Sequence, residues 1–247
     1  MTTPSHPTEH AEDPVRHSAR SSADRVPLIL ASASPGRAQV LEGAGLDFSV
    51  EVSSVDEDEV LSAARALADA EDVPAEEVAL LLARAKAEDV AARPPGRGAL
   101  VLGCDSVFEL DGQTYGKPYE PEIAVQRWLE MRGRTGTLHS GHWLIGPDGD
   151  AVGRTVSTRV SFAEPAEEEI RAYAESGEPM HCAGAFTIDG RGAAFVTGVE
   201  GDHLSVIGVS PHVLARLLAE LGRGITDHWR GAASLPNQNR EQEPRER

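Results

Sequence analysis

The chain has 247 residues, 40% of them hydrophobic, which is enough for one large α/β domain or two small ones with a sizeable core. A net charge of -17 and an aromatic content of 4% exclude a protein that coats nucleic acid, because such a surface repels a phosphate backbone on average. No apolar stretch approaches the roughly 18 residues that cross a bilayer, and the first 25 residues hold no signal-like apolar run, so no membrane contact and a cytoplasmic location are expected.

Residues 1–25 are rich in Ser, Thr, Pro, His and charge, and the segment 225–247 ends in a similar polar run, so both are predicted to be largely disordered around a folded unit spanning 26–224. That unit opens with the apolar run Val26–Leu30, a predicted strand, which turns at Ser34-Pro35 into a short helix ending near Gly43 and Gly45. Phe48–Val52 alternates like a strand, and the acidic stretch 56–72 reads as a partly exposed helix. A stronger helix runs from Pro74 to about Ala92, with Val78, Leu81, Leu82 and Ala85 at helical spacing. Ala99–Gly103 predicts a buried strand with Asp105 just past its end, and Asp111-Gly112 predicts a hairpin. A helix over 121–131, strands near 138–145 and 154–162, and a helix over 165–175 follow. Ala193–Thr197 and Leu204–Ile207 read as strands, and Ser210-Pro211 caps a last amphipathic helix. Together these elements predict an α/β fold with a mixed sheet and flanking helices.

Several polar residues interrupt this pattern. The turn at Ser32–Arg37 gathers two hydroxyls, Ser32 and Ser34, the free N–H groups of a helix start and the Arg37 guanidinium, a set that fits an anion. The plainer reading makes Ser34 an N-cap and no more. Asp105 at a strand end needs a metal, a cation or a reacting proton to offset its burial, unless it merely orders a turn. Lys117, between Gly116 and Pro118, could act as a point charge on phosphate, and both it and Lys86 read in isolation as surface lysines. The run Asp56–Glu59 offers carboxylates for a hard cation or, more simply, an acidic helix start. Cys104 and Cys182 form no CxxC pair and are expected as reduced thiols, with a disulfide between them left open. None of the histidines has the companions of a zinc site or a triad.

In order along the chain stand LASASPGR at 30–37, VDED at 55–58, RAKA at 84–87, GCDSV at 103–107, GKP at 116–118, HCAGAFTIDG at 181–190 and VIG at 206–208. With these motifs, the chain from about Val26 to Gly222 resembles the Maf family. The resemblance implies a cleft-shaped mixed α/β fold akin to the inosine-triphosphate pyrophosphatases. It also implies hydrolysis of nucleoside triphosphates to monophosphate and pyrophosphate with a divalent cation, magnesium, manganese or cobalt. Asp105 matches the family's proton acceptor, the turn carrying Ser32, Ser34 and Arg37 its phosphate site, Lys86 and Lys117 its two lysines, and Glu57, with Asp105, its metal-holding carboxylates.

The chain departs from the family pattern at its specificity positions. Gly36 stands where many members have a first arginine, and Ser106 where Thr accompanies a dTTP/UTP preference or Gln a 7-methyl-GTP preference. Asp189 replaces Gln or Glu. A broad or unassigned base preference is therefore expected, and a homodimer is left open. A second reading, a nucleotide-binding regulator of septum formation acting through a protein partner without turnover, is carried by the family's historical association.

Overall fold

The computed structural model describes residues 25–68 and 73–231. The expected disordered ends lie outside these residues, apart from Arg25 and the segment 225–231. That segment packs back on the fold, where Asp47 N donates to His228 O at 2.7 Å and Arg230 N to Gly45 O at 2.8 Å.

The chain starts with β1 (Leu28–Ala31), buried along its whole length, as a doubly covered strand requires. Pro35 at the first helical position then starts α1 (Pro35–Gly43). β2 covers only Ser49–Val50, shorter than the alternation of 48–52 predicts. The acidic stretch forms α2 (Glu57–Ala68), and α3 runs from Ala75 to Ala92. The long strand β3 (Leu100–Leu110) turns through Asp111 and Gly112, both at positive φ, into β4 (Gln113–Tyr115). There follow α4 (Pro121–Met131), β5 (Thr135–Ile145), β6 (Ala151–Phe162) and α5 (Glu167–Glu175). The chain closes with β7 (Val196–Glu200), α6 (His203–Ile207) and α7 (Pro211–Glu220).

The strands make one mixed sheet in the order β2-β1-β3-β5-β6-β7, with β4 paired to β3. β1 is parallel to β2 and β3, and every later pair is antiparallel, which is the mixed α/β class the sequence predicts. One core joins β1 and β3 to α1 and α7 through Leu30, Leu41, Leu102, Leu214 and Leu217. A second stacks Phe108, Trp128, Phe162 and Phe186 edge to face with centroids 4.9 to 5.8 Å apart. On the sheet face opposite the first core lies α3, whose strip Ala79, Ala83 and Ala87 is fully buried. Among the described residues no helix is long and apolar enough to cross a membrane. Both cysteines are free thiols.

Three local expectations are corrected. Asp105 is not past the end of a strand but in the middle of β3, because the pairing with β5 continues without a break from Val101 to Glu109. Leu204–Ile207 is helical because the Asp202 carboxylate accepts from Leu204 N at 3.0 Å and Ser205 N at 3.1 Å, an N-cap that strand geometry could not use. The strand expected at 193–197 begins at Val196, because Glu178 accepts from Arg191 N and Gly192 N, each at 3.0 Å, and holds 191–195 in a 3-10 turn off the sheet.

Candidate active site

The site occupies a gap in the sheet. The last β1 residue paired to β3 is Ala31, opposite Gly103, while β4 pairs only from Phe108 onward. Cys104 to Val107 therefore lie on a stretch of β3 that neither β1 nor β4 covers. The Ser32–Ser34 turn leaves β1 at one end of this gap, and Gly116-Lys117 leaves β4 at the other. A cleft of about 780 Å³ opens there, and all ten residues singled out by sequence line it: Ser32, Ser34, Gly36, Arg37, Glu57, Lys86, Asp105, Ser106, Lys117 and Asp189. A second hollow of about 480 Å³ reaches Asp105 and Lys117 from the α2 side.

The turn after β1 is both a helix cap and a clamp on Arg37. Ser34 Oγ accepts from Arg37 N at 3.5 Å, and Ser32 Oγ accepts from Ser34 N at 3.2 Å. Arg37 is 9% exposed. Its Nε donates to Gly208 O at 3.0 Å, its Nη1 to Ser32 Oγ at 3.0 Å and Cys104 O at 2.7 Å, and its Nη2 to Ser106 Oγ at 3.3 Å. A Cβ at Gly208 would stand 2.8 Å from Arg37 Nε, so the close approach requires glycine. Most of the guanidinium donors thus serve the protein, and Arg37 is a fixed positive charge at the cleft wall.

Lys86 is buried rather than a surface lysine. Its ammonium donates to Asp105 Oδ1 at 2.5 Å and to Glu57 Oε1 at 2.7 Å, so one cation ties β3 to the start of α2. Burial raises the Glu57 carboxyl, but the charge and hydrogen bond of Lys86, with Lys117 and Arg37 further off, outweigh it and hold Glu57 below the usual carboxylate range. Asp105 is 5% exposed, a burial that its ion pair offsets. Lys117 forms no hydrogen bond or ion pair with a described residue and is left facing the cleft.

The remaining acids of the run 56–59 sort differently. Asp56 Oδ1 caps α2 by accepting from Asp58 N and Glu59 N, each at 3.1 Å; Glu57 lines the larger cleft, and Asp56 and Asp58 line the second hollow with it. No three His, Cys, Asp or Glu side chains among the described residues form a ready metal shell. Neither thiol is poised as a nucleophile, since burial pushes Cys104 up to about 12 and Cys182 up to about 11. At the far wall a Cβ on Gly36 would meet Ile207 Cγ2 at 3.0 Å and Asp189 Oδ2 at 3.8 Å, and Asp189 accepts a hydrogen bond from Thr187 Oγ1.

Sequence reasoning missed two positioning glycines. A Cβ at Gly103 would lie 2.0 Å from Ala83 O, and one at Gly141 would lie 2.2 Å from Ala79 O. These two bare points let α3 press against β3 and β5 and bring Lys86 to Asp105. A glycine inside an apolar strand run was the available signal for such an approach. Ser140 was also missed. Its hydroxyl meets Ser106 Oγ at 3.0 Å and donates to Ser205 O at 2.7 Å, bracing the residue that holds Arg37.

A family model described as Maf-like protein matches residues 27–221. A protein of Streptomyces coelicolor named nucleoside triphosphate pyrophosphatase is 53% identical over 82% of this chain and 94% of its own length. Proteins with the same name from Nocardia farcinica and Thermosynechococcus vestitus are 47% and 46% identical, covering 83% and 82% of this chain and 98% and 97% of theirs.

Proposed function

The chain belongs to the Maf-like protein family, and on that premise we propose that it hydrolyses nucleoside triphosphates to nucleoside monophosphate and pyrophosphate in the cytoplasm. The observation that carries this reading is the Lys86 ammonium bridging Asp105 and Glu57 across the cleft from the pinned Arg37.

A triphosphate brings several negative charges to a protein of net charge -17, so its binding depends on local cations. Arg37 and Lys86 are held in place by their own hydrogen bonds, and Lys117 is free to move onto the phosphates. At the start of α1, where Pro35 has no N–H and Arg37 N and Ala38 N donate to Ser34, the Gly36 N–H is the donor left for a ligand. Asp105 uses Oδ1 on Lys86, and its Oδ2 has no hydrogen bond to a described residue. That oxygen takes the proton of an attacking water, the new P–O bond forms at the α-phosphorus, and the bond to the bridging oxygen breaks to release pyrophosphate. Lys117 offsets the charge that grows on the leaving group.

Glu57 likewise uses one oxygen on Lys86 and keeps the other. The spare Glu57 oxygen with phosphates nearby suits magnesium, manganese or cobalt, and Glu57 would hold such an ion beside Asp105, whose own spare oxygen serves the water. When bound, it would supply neutralisation of phosphate charge. A regulator that binds without turnover needs no proton acceptor beside the phosphates, and Asp105 offers one, so hydrolysis is the better reading. Gly36, Ser106 and Asp189 are proposed to shape base preference, with the base unassigned.

A panel of canonical and modified triphosphates with magnesium, manganese or cobalt in ¹⁸O-labelled water tests this. Monophosphate and pyrophosphate should form, with the label in the monophosphate. Diphosphate and phosphate as products, or no turnover of any member, would overturn the reading, and label in pyrophosphate would move the attack to the β-phosphorus.

A further inference from the structure

We propose that Tyr119 is the stacking platform for the nucleobase, with His181 braced against its ring, an inference that rests on the triphosphate reading of the cleft. Tyr119 is 64% exposed, the most exposed large apolar side chain among the described residues. It also sits at φ +59, a left-handed conformation that is strained for a bulky side chain. Asp111, another non-glycine at positive φ, belongs to the Asp-Gly hairpin turn, which explains it; no turn motif explains Tyr119.

The strain is held in place from below. Tyr119 N donates to Met180 O at 3.1 Å, and the preceding Pro118 is buried, so the loop is fixed while the side chain is left outside. The Tyr119 hydroxyl makes no hydrogen bond to a described residue. Among the described residues the ring's one aromatic partner is His181, edge-on at 5.9 Å and 65°. Both rings line the cleft that holds the phosphate-facing cations. A backbone outlier that presents an unburied aromatic face to a binding cleft points to a ligand with its own π-face.

Stacking of a base on an aromatic side chain is tolerant of base identity, in keeping with the unassigned preference at Gly36, Ser106 and Asp189.

The test compares the unmodified protein with Tyr119→Ala and Tyr119→Phe, using nucleoside triphosphates as substrates and inorganic tripolyphosphate, which has no base, as competitor. Tyr119→Ala should raise KM roughly 5- to 100-fold with kcat little changed, while Tyr119→Phe keeps KM near that of the unmodified protein. The inhibition constant of tripolyphosphate should be the same in all three. An unchanged KM in Tyr119→Ala would overturn the proposal. So would equal weakening of tripolyphosphate, which would make Tyr119 a support for the Lys117 loop. Calorimetric binding of an α,β-methylene triphosphate reads the same difference without turnover, so a failure of the hydrolytic reading is told apart from a failure of stacking.

Discussion

His142, on β5, is fully buried against the start of α7, and its two ring nitrogens have opposite tasks. Nε2 accepts from Ser210 N at 2.8 Å, which leaves Nδ1 as the donor to Ser140 O at 3.0 Å. Burial, reinforced by the nearby Arg37 charge, pushes its pKa down to about 4. A second proton would remove the acceptor that Ser210 N needs. Because the folded value lies below the unfolded one, the unfolded chain binds more protons, and stability present above about pH 6.5 is lost as the pH falls toward about 4. The loss expected from this one ring is about 3 kcal/mol. Urea midpoints measured from pH 7 to pH 4 should therefore fall, and His142→Gln should flatten most of that slope. An equal slope in the variant would assign the acid sensitivity elsewhere, for instance to His228, whose value burial also lowers. Lys86 carries the same lesson for the site. Its partner Asp105 is 19 positions away, so sequence spacing alone could not distinguish it from a surface lysine.

α3 is the element on which the site's geometry turns. Its alanine strip meets the bare backbone of Gly103 and Gly141, and that approach sets where Lys86 ends up. Gly103→Ala should force the helix away by inserting a methyl group 2.0 Å from Ala83 O. The expected cost is about 1–3 kcal/mol, with turnover lost further because Lys86 is drawn off Asp105. Gly43→Ala is the control, since a Cβ there meets nothing within 4 Å. Thermal melts and steady-state rates on the pair check this; a Gly103→Ala enzyme as stable and as active as the control would break the link between α3 and the site.

Elements whose signals are local were legible in the sequence: the Ser-Pro start of α1, the long apolar spacing of α3, the Asp-Gly turn after β3 and the Ser-Pro start of α7. Those decided by a distant partner were not. Arg191–Phe195 leaves the sheet because of a carboxylate on Glu178. Leu204–Ile207 is a different case, since the Asp202 N-cap that makes it helical stands only two residues ahead and was a local signal that the apolar run masked.

At the scale of the molecule, the site exists because strands of unequal length share an edge. β3 has 11 residues, whereas β1 has 4 and β4 has 3, and the uncovered stretch between the two short strands is where Asp105 and Ser106 meet the cleft. Each motif could be found singly in the chain, yet the gap that joins them follows from pairing register, which no local pattern states. The net charge of -17 acts on the whole as well, repelling polyanions on average, while Arg37, Lys86 and Lys117 line the cleft. The account rests centrally on Asp105 as the acceptor of the water proton in that gap. Single-turnover pyrophosphate release by the unmodified protein and by Asp105→Asn, with triphosphate affinity measured on both, tests it most directly. The account predicts a rate loss of about 10²- to 10⁴-fold in a variant that still binds the triphosphate, and full pyrophosphate release by Asp105→Asn would contradict it.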